Sequence, residues 1–195
     1  MSRLKDFDEA QTLQRMADAF IANGYRGTSM AMLEEVTGLG KQSLYNAFGN
    51  KNDMYLKSVE CATGRLSPVI ASMQKAGTGF EAVAVFFEGL LQACNSRDPV
   101  QSRCVVSSGL MEQVDDANLE NCLQEKWQSV MAVFRQHALA GQEDGSIRSD
   151  ISADQLAALL MTIMSGMRVT SRVIGDPRKL RELVMLALEV LKSTA

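Results

Sequence analysis

Between Gly24 and Lys51 the chain reads GYRGTSMAMLEEVTGLGKQSLYNAFGNK, which has room for two short helices and a glycine-bearing turn between them. Thr28 is a good N-cap for the first of these helices, whose Met32, Leu33 and Val36 can point inward before Thr37-Gly38-Leu39-Gly40 breaks the chain. The second runs from about Lys41 to Phe48 and is closed by Gly49-Asn50. Two helices joined this way form a compact unit whose second helix can enter a DNA major groove.

A helix from about Asp8 to Asn23 precedes the pair, because Leu13, Met16, Ala17, Phe20 and Ile21 repeat at helical spacing and Asn23-Gly24 supplies a stop. A fourth helix starts near Lys51 and runs toward Leu66. Beyond Pro68 the pattern predicts longer helices at roughly 68–76, 79–95, 100–113, 116–141, 153–174 and 177–192, separated by Gly77-Thr78-Gly79, Asp98-Pro99, Gly141 to Gly145 and Gly175-Asp176-Pro177. Three prolines and 6% aromatic residues favour helices over an all-β fold, so the predicted class is all-α. The expected organisation is an N-terminal three-helix bundle with a helix-turn-helix over 1–50 and a larger helical domain over 51–195. The last two helices are apolar on more than one face, through residues such as Leu156, Leu160, Ile163, Met164, Leu183 and Leu188. Packing against a second copy of the chain satisfies such helices, so a homodimer through 153–174 and 177–192 is expected.

The N-terminal residues contain no apolar signal-like run, and no stretch approaches the roughly 18 apolar residues of a membrane span, so the expectation is a soluble cytoplasmic protein with no membrane partner. Cys61, Cys94, Cys104 and Cys122 lack metal-ligand spacing and the one histidine, His137, stands far from them, so neither a metal nor a cofactor is expected. A net charge of −3 excludes binding nucleic acid by bulk electrostatics, and the first sixty residues carry seven Lys/Arg against eight Asp/Glu. DNA binding therefore has to come from local placement.

Phe20, Gly24-Tyr25, Thr28-Ser29, Thr37-Gly38, Lys41, Ser43-Leu44-Tyr45, Phe48-Gly49 and Lys51, taken in order, resemble the DNA-binding head of the TetR/AcrR family of one-component bacterial transcriptional regulators. The segment from Cys104 to Glu112, CVVSSGLME, is similar to a cysteine-bearing segment of one branch. The resemblance implies a homodimeric, non-enzymatic regulator, a repressor that binds a palindromic DNA operator and is released by a small-molecule inducer.

Residue chemistry agrees with that implication. Leu44 and Phe48 are four apart and face inward, which leaves Lys41, Gln42, Ser43, Tyr45 and Asn46 outside as DNA contacts. Gln42 and Asn46 each carry an amide able to pair with the N6/N7 edge of adenine, and Lys41 suits guanine or phosphate. Tyr45, as the resemblance implies, places its hydroxyl on phosphate. Thr28 and Lys51, at helix starts, are expected to hold phosphate oxygens. Glu34-Glu35 brings negative charge toward the same surface and lowers affinity. Phe86, Met111, Trp127, Met131, Phe134 and Arg168 are expected at the inducer site, with Arg168 and Arg172 seeking a carboxylate from Glu112, Glu120, a partner chain or an acidic ligand. Cys104, beside Arg103, is the candidate for a thiol-sensing alternative. An all-α enzyme or carrier without DNA binding is the alternative from another class.

Overall fold

The computed structural model describes residues 7–96, 98–112 and 114–193. Among them the chain forms helices α1 Glu9–Gly27, α2 Met30–Thr37, α3 Lys41–Phe48, α4 Lys51–Gly64, α5 Ser67–Met73, α6 Gly79–Asn95, α7 Pro99–Ser102, α8 Val105–Glu112, α9 Ala117–Glu143, α10 Ala153–Val173 and α11 Pro177–Glu189. No strand occurs among the described residues; an isolated antiparallel bridge joins Ile147 and Lys192. Two compact units result: the first runs to Arg65 and also takes in Arg103–Lys126, and the second comprises Leu66–Ser102 and the chain from Trp127 onward.

In the first unit, Asp8 caps α1 by accepting the Gln11 amide. Met16, Ala17, Phe20 and Ile21 are buried on the face that the helical spacing predicts. The stop at Gly24 is real: its φ of 76° takes the chain out of helical geometry, and a single further turn follows to Gly27. The cap of α2 differs from expectation by one residue. Ser29 Oγ accepts the Met32 amide at 3.1 Å. Thr28 is fully buried, and its hydroxyl donates backward to the carbonyls of Gly24 at 2.7 Å and Ala19 at 3.3 Å. Leu33 is fully buried, but Val36 is exposed, a correction to the predicted inward face. Thr37 takes the inward place one residue on, its hydroxyl donating to Leu33 O at 2.6 Å and accepting from Leu39 N.

Helices α1 and α4 form the long contact of this unit, with α8 laid against both. Tyr55 of α4 is buried edge-to-face against Phe20, 5.0 Å between ring centroids, with its hydroxyl on Val105 O of α8. The single helix predicted over 100–113 is broken into α7 and α8, and Gln113 lies outside the described residues. Asp98 caps α7, and the guanidinium groups of Arg168 and Arg172 take Ser102 O and Ser102 Oγ at its other end. Distant arginines thus satisfy carbonyl and hydroxyl groups where the helix stops.

The second unit is built on α6, α10 and α11, which pack on one another. Phe86, Phe87 and Phe134 form an aromatic cluster within a core that also holds Leu156, Leu160 and Leu180. Phe86 meets Phe134 edge-on at 4.8 Å, while Phe87 stacks on Phe134 at 18° between ring planes. At the start of α6, Gly79 lies directly against the α9 backbone, and its amide donates to Asp144 Oδ2 at 2.8 Å. The last helix ends at Glu189 rather than near 192, because the following residues turn to the 147–148 segment, where Leu191 O accepts the Arg148 amide at 2.8 Å. Val169 and Val173 of α10 and Leu183 and Leu186 of α11, with Val190 just beyond it, remain exposed.

Candidate nucleic-acid interface

Helix α3 is oriented from below. Leu44 is fully buried and Phe48 4% exposed, so the opposite face of α3 turns outward and Lys41, Gln42, Ser43, Tyr45 and Asn46 are all exposed. Gly38, at φ 73°, closes α2 by donating its amide to Glu34 O, and Gly40 begins α3 without a side-chain cap. A left-handed residue between two short helices makes the sharp turn that the sequence requires. Lys57 holds the far end, its Nζ donating to Phe48 O at 2.9 Å and lying 5.8 Å from the centre of the Phe48 ring. That role has no local sequence signal, since the two residues belong to different helices.

On the exposed face Gln42 Nε2 donates to Asn46 Oδ1 at 2.9 Å, so the two amides support one another before any contact with DNA. Gln42 Oε1 and Asn46 Nδ2 remain to face outward as an acceptor and a donor, the pair of functions that an adenine edge demands. Lys41 Nζ lies 5.9 Å from the centre of the Tyr45 ring, which keeps cation and hydroxyl on one side of the helix. Glu34 is half-buried and Glu35 exposed.

Two of the phosphate-binding expectations are altered. The Thr28 hydroxyl is committed to carbonyls within the first unit and is closed to solvent, which removes it as a phosphate contact; Ser29 has the place at the mouth of α2. At the start of α4, Asn50 Oδ1 accepts the amides of Asn52 and Asp53, and Asp53 in turn accepts the Asn50 amide, a reciprocal cap that occupies donors expected to be free. Lys51 stands beside this cap with its Nζ 4.4 Å from the centre of the Tyr25 ring. Partial burial lowers its pKa and the Glu112 carboxylate opposes that shift.

Tyr25 is itself held from several sides. Its ring meets Tyr55 edge-on at 5.1 Å, its hydroxyl bonds Asn52 Oδ1, and Asn52 Nδ2 donates to Asp116 Oδ2 at 2.5 Å. Burial raises the Tyr25 pKa, and Asp116 adds to the effect. The amides of Tyr25 and Arg26 both donate to the Glu112 carboxylate, at 3.0 and 2.7 Å. Sequence reasoning missed Glu112 in this position and assigned it to Arg168 or Arg172.

Those arginines bond Ser102, not a carboxylate: Arg168 Nη1 to Ser102 O at 3.1 Å and Arg172 Nη2 to Ser102 Oγ at 2.5 Å. Arg168 Nε is buried with no hydrogen-bond partner among the described residues. Of the residues expected at an inducer site, Phe86 and Phe134 are core, Trp127 and Met131 are half-buried against that core, and Arg168 belongs to the same unit. Met111 does not join them: it lies on α8 in the first unit and is 83% exposed. Cys104 is half-buried at the entry to α8, with the neighbouring Arg103 guanidinium engaged by Ala22 O.

Comparison with known proteins bears on both units. Residues 16–57 match the family model described as bacterial regulatory proteins, tetR family, and residues 79–186 match that of the tetracyclin repressor-like C-terminal domain. An uncharacterized HTH-type transcriptional regulator of Bacillus subtilis, YezE, is 29% identical over 98% of this chain and its own full length. The HTH-type transcriptional repressor ComR of Escherichia coli is 24% identical, over 96% of this chain and 90% of its own. Among solved structures, a cysteine mutant of the TetR family regulator CifR in complex with 26-bp operator DNA superposes with a TM-score of 0.87 at 25% identity, covering 97% of this chain and all of that one. The reduced form of Escherichia coli NemR shares the fold at a TM-score of 0.81 and 14% identity, over 96% of this chain and all of that one.

Proposed function

The chain belongs to the TetR family of DNA-binding transcriptional regulators, and from that premise we propose that it is a repressor that grips a palindromic operator as a homodimer and lets go when a small molecule occupies its second unit. The observation that carries this reading is the outward face of α3, where Lys41, Gln42, Ser43, Tyr45 and Asn46 are all exposed and the buried Leu44 and Phe48 fix their direction. Selection of duplexes from a random DNA pool tests it directly. The expected product is an inverted repeat whose half-sites lie about one helical turn, roughly 34–36 Å, or a close multiple apart. A selected site without two-fold symmetry sinks the dimeric reading.

The exposed apolar residues of the last helices support the dimer. Val169 and Val173 are four apart on α10, Leu183 and Leu186 three apart on α11, and water contact with such faces is unfavourable by about 25 cal/mol per Å². A Val173→Glu, Leu186→Glu chain is expected to elute as a folded monomer in light-scattering chromatography and to lose operator binding with it. A variant that stays dimeric places the interface elsewhere.

For the inducer, Trp127 and Met131 offer a half-buried, adaptable surface, and the unpartnered Arg168 Nε offers a donor within the same unit. Ligand acts only through a difference in affinity between DNA-binding and released conformations. A second reading, a thiol-sensing repressor, rests on Cys104, a free thiol half-buried at the entry to α8 beside Arg103. Peroxide would oxidise the Cys104 thiol to a sulfenic acid, its own O–O bond breaking so that one oxygen stays on sulfur and the other leaves as water. On this reading mild peroxide frees DNA from the native chain and leaves Cys104→Ser bound; equal response of the two chains rejects it.

A further inference from the structure

Gly24 has a backbone that L side chains rarely adopt, and the place its Cβ would occupy is already taken: Glu112 Oε1 lies 2.1 Å from that point. The turn at Gly24 presents the successive amides of Tyr25 and Arg26 to one side, a concavity suited to an anion. Glu112, at the last turn of α8, fills it with both carboxylate oxygens, across 87 residues of sequence from Tyr25. Charge-assisted hydrogen bonds of this kind are stronger than neutral ones and fix the acceptor in the plane of the donors.

The consequence runs outward from the corner to the DNA-facing side. The Tyr25 backbone that Glu112 holds carries the ring that Lys51 Nζ covers at 4.4 Å, and the other end of that ring is tied through Asn52 to Asp116. We propose that Glu112 is a positioning residue for DNA binding: its grip on the Tyr25 and Arg26 amides fixes the Tyr25 ring beneath Lys51 and thereby sets where that ammonium meets a phosphate. The inference rests on the reading of this chain as a DNA-binding regulator and on the expectation that Lys51, at the start of α4, meets a phosphate.

Simple electrostatics and positioning give opposite signs, which makes the role testable. Glu112 is a negative charge close enough to act on Lys51, so its removal alone strengthens attraction to DNA. Loss of a positioning contact weakens it. Anisotropy titrations of the full-length wild type, Glu112→Ala, Glu112→Gln, Lys51→Ala and the Lys51→Ala, Glu112→Ala chain against a duplex selected by the wild type, between about 50 and 200 mM salt, separate the two. Lys51→Ala is expected to reduce the salt slope by about one per head.

Glu112→Ala is expected to weaken binding about tenfold, to reproduce most of that slope change without touching DNA, and to add little when Lys51 is already absent. Glu112→Gln keeps one acceptor oxygen and should fall between wild type and Glu112→Ala; it carries the comparison if the alanine chain does not fold by circular dichroism. Binding by Glu112→Ala or Glu112→Gln that equals or exceeds wild type, or an effect fully additive with Lys51→Ala, overturns the proposal. A wild-type chain that selects no duplex refutes the DNA-binding role of Lys51 itself, a result separate from any difference among the variants.

Discussion

Alanine at both Gln42 and Asn46 is expected to abolish sequence-selective DNA binding while leaving the fold intact. Both side chains are exposed, and their mutual hydrogen bond is an i, i+4 contact whose loss costs about 0.2–0.5 kcal/mol, offset by the better helix propensity of alanine. Tied to one another, the two amides present one acceptor and one donor, a single contact with an adenine edge; such a contact discriminates against the wrong base by about 1–3 kcal/mol, so its removal withdraws roughly that much from each half-site. Over two half-sites this is roughly 2–6 kcal/mol, a large share of the interval of roughly 4–10 kcal/mol by which specific complexes exceed non-specific ones. Lys41 and Lys51 remain, so weak, salt-sensitive binding to any duplex persists. Gel-shift titrations of the selected operator against a scrambled duplex at fixed salt read the difference. If the double variant keeps the wild-type preference between the two, α3 is not the reading helix.

The largest effect on stability belongs to Gly79→Ala. A Cβ there would lie 2.3 Å from Gly141 N, 2.4 Å from His137 O and 2.5 Å from Gly141 Cα. All three are backbone atoms, so no side chain can rotate away and α6 has to separate from α9, disturbing the donation from Gly79 N to Asp144. Overpacking of this kind costs about 1–3 kcal/mol where side chains can adjust and more where they cannot, against a propensity gain of at most ~1 kcal/mol. A net loss of about 3 kcal/mol corresponds to a fall in Tm of roughly 6–12 °C for a chain of this size. Gly64→Ala, where nothing lies within 4 Å, is the matched control and should leave Tm nearly unchanged. Equal melting of the two variants would show that the close approach at Gly79 relaxes without penalty.

Helical spacing made the outward face of α3 legible in advance: Leu44 and Phe48 sit four apart and are buried, and the intervening polar residues are exposed. The same local rules failed where a distant group decided the outcome. Thr28 and Ser29 are both good caps by chemistry, and only the path of α1 after Gly24, which brings Ala19 O and Gly24 O within reach of Thr28, assigns the cap to Ser29. Where α7 stops, the Ser102 carbonyl is taken by Arg168, 66 residues away, a partner that no local rule supplies. Glu112 carries no sign in its own segment of the corner it fills, because its partners lie 86 and 87 residues earlier in the chain. Met111 beside it is apolar and almost wholly exposed, so residue type alone misplaced it in a pocket. Gly24, by contrast, did carry a signal: its place in the motif reflects both its backbone angle and the carboxylate that occupies its side-chain position.

Helix α8 and the first turns of α9 complete the first unit although they follow its N-terminal part by some forty residues of sequence. Exchanging heads between relatives, as an engineer would do to rewire a promoter to a new signal, therefore cannot be done with one cut after α4. Such a graft leaves Tyr55 facing a foreign α8 and the corner after Gly24 without its carboxylate. A transplant that keeps its grip on DNA has to carry two pieces of chain, the second being 103–126, so that in this architecture specificity and shape are inherited together.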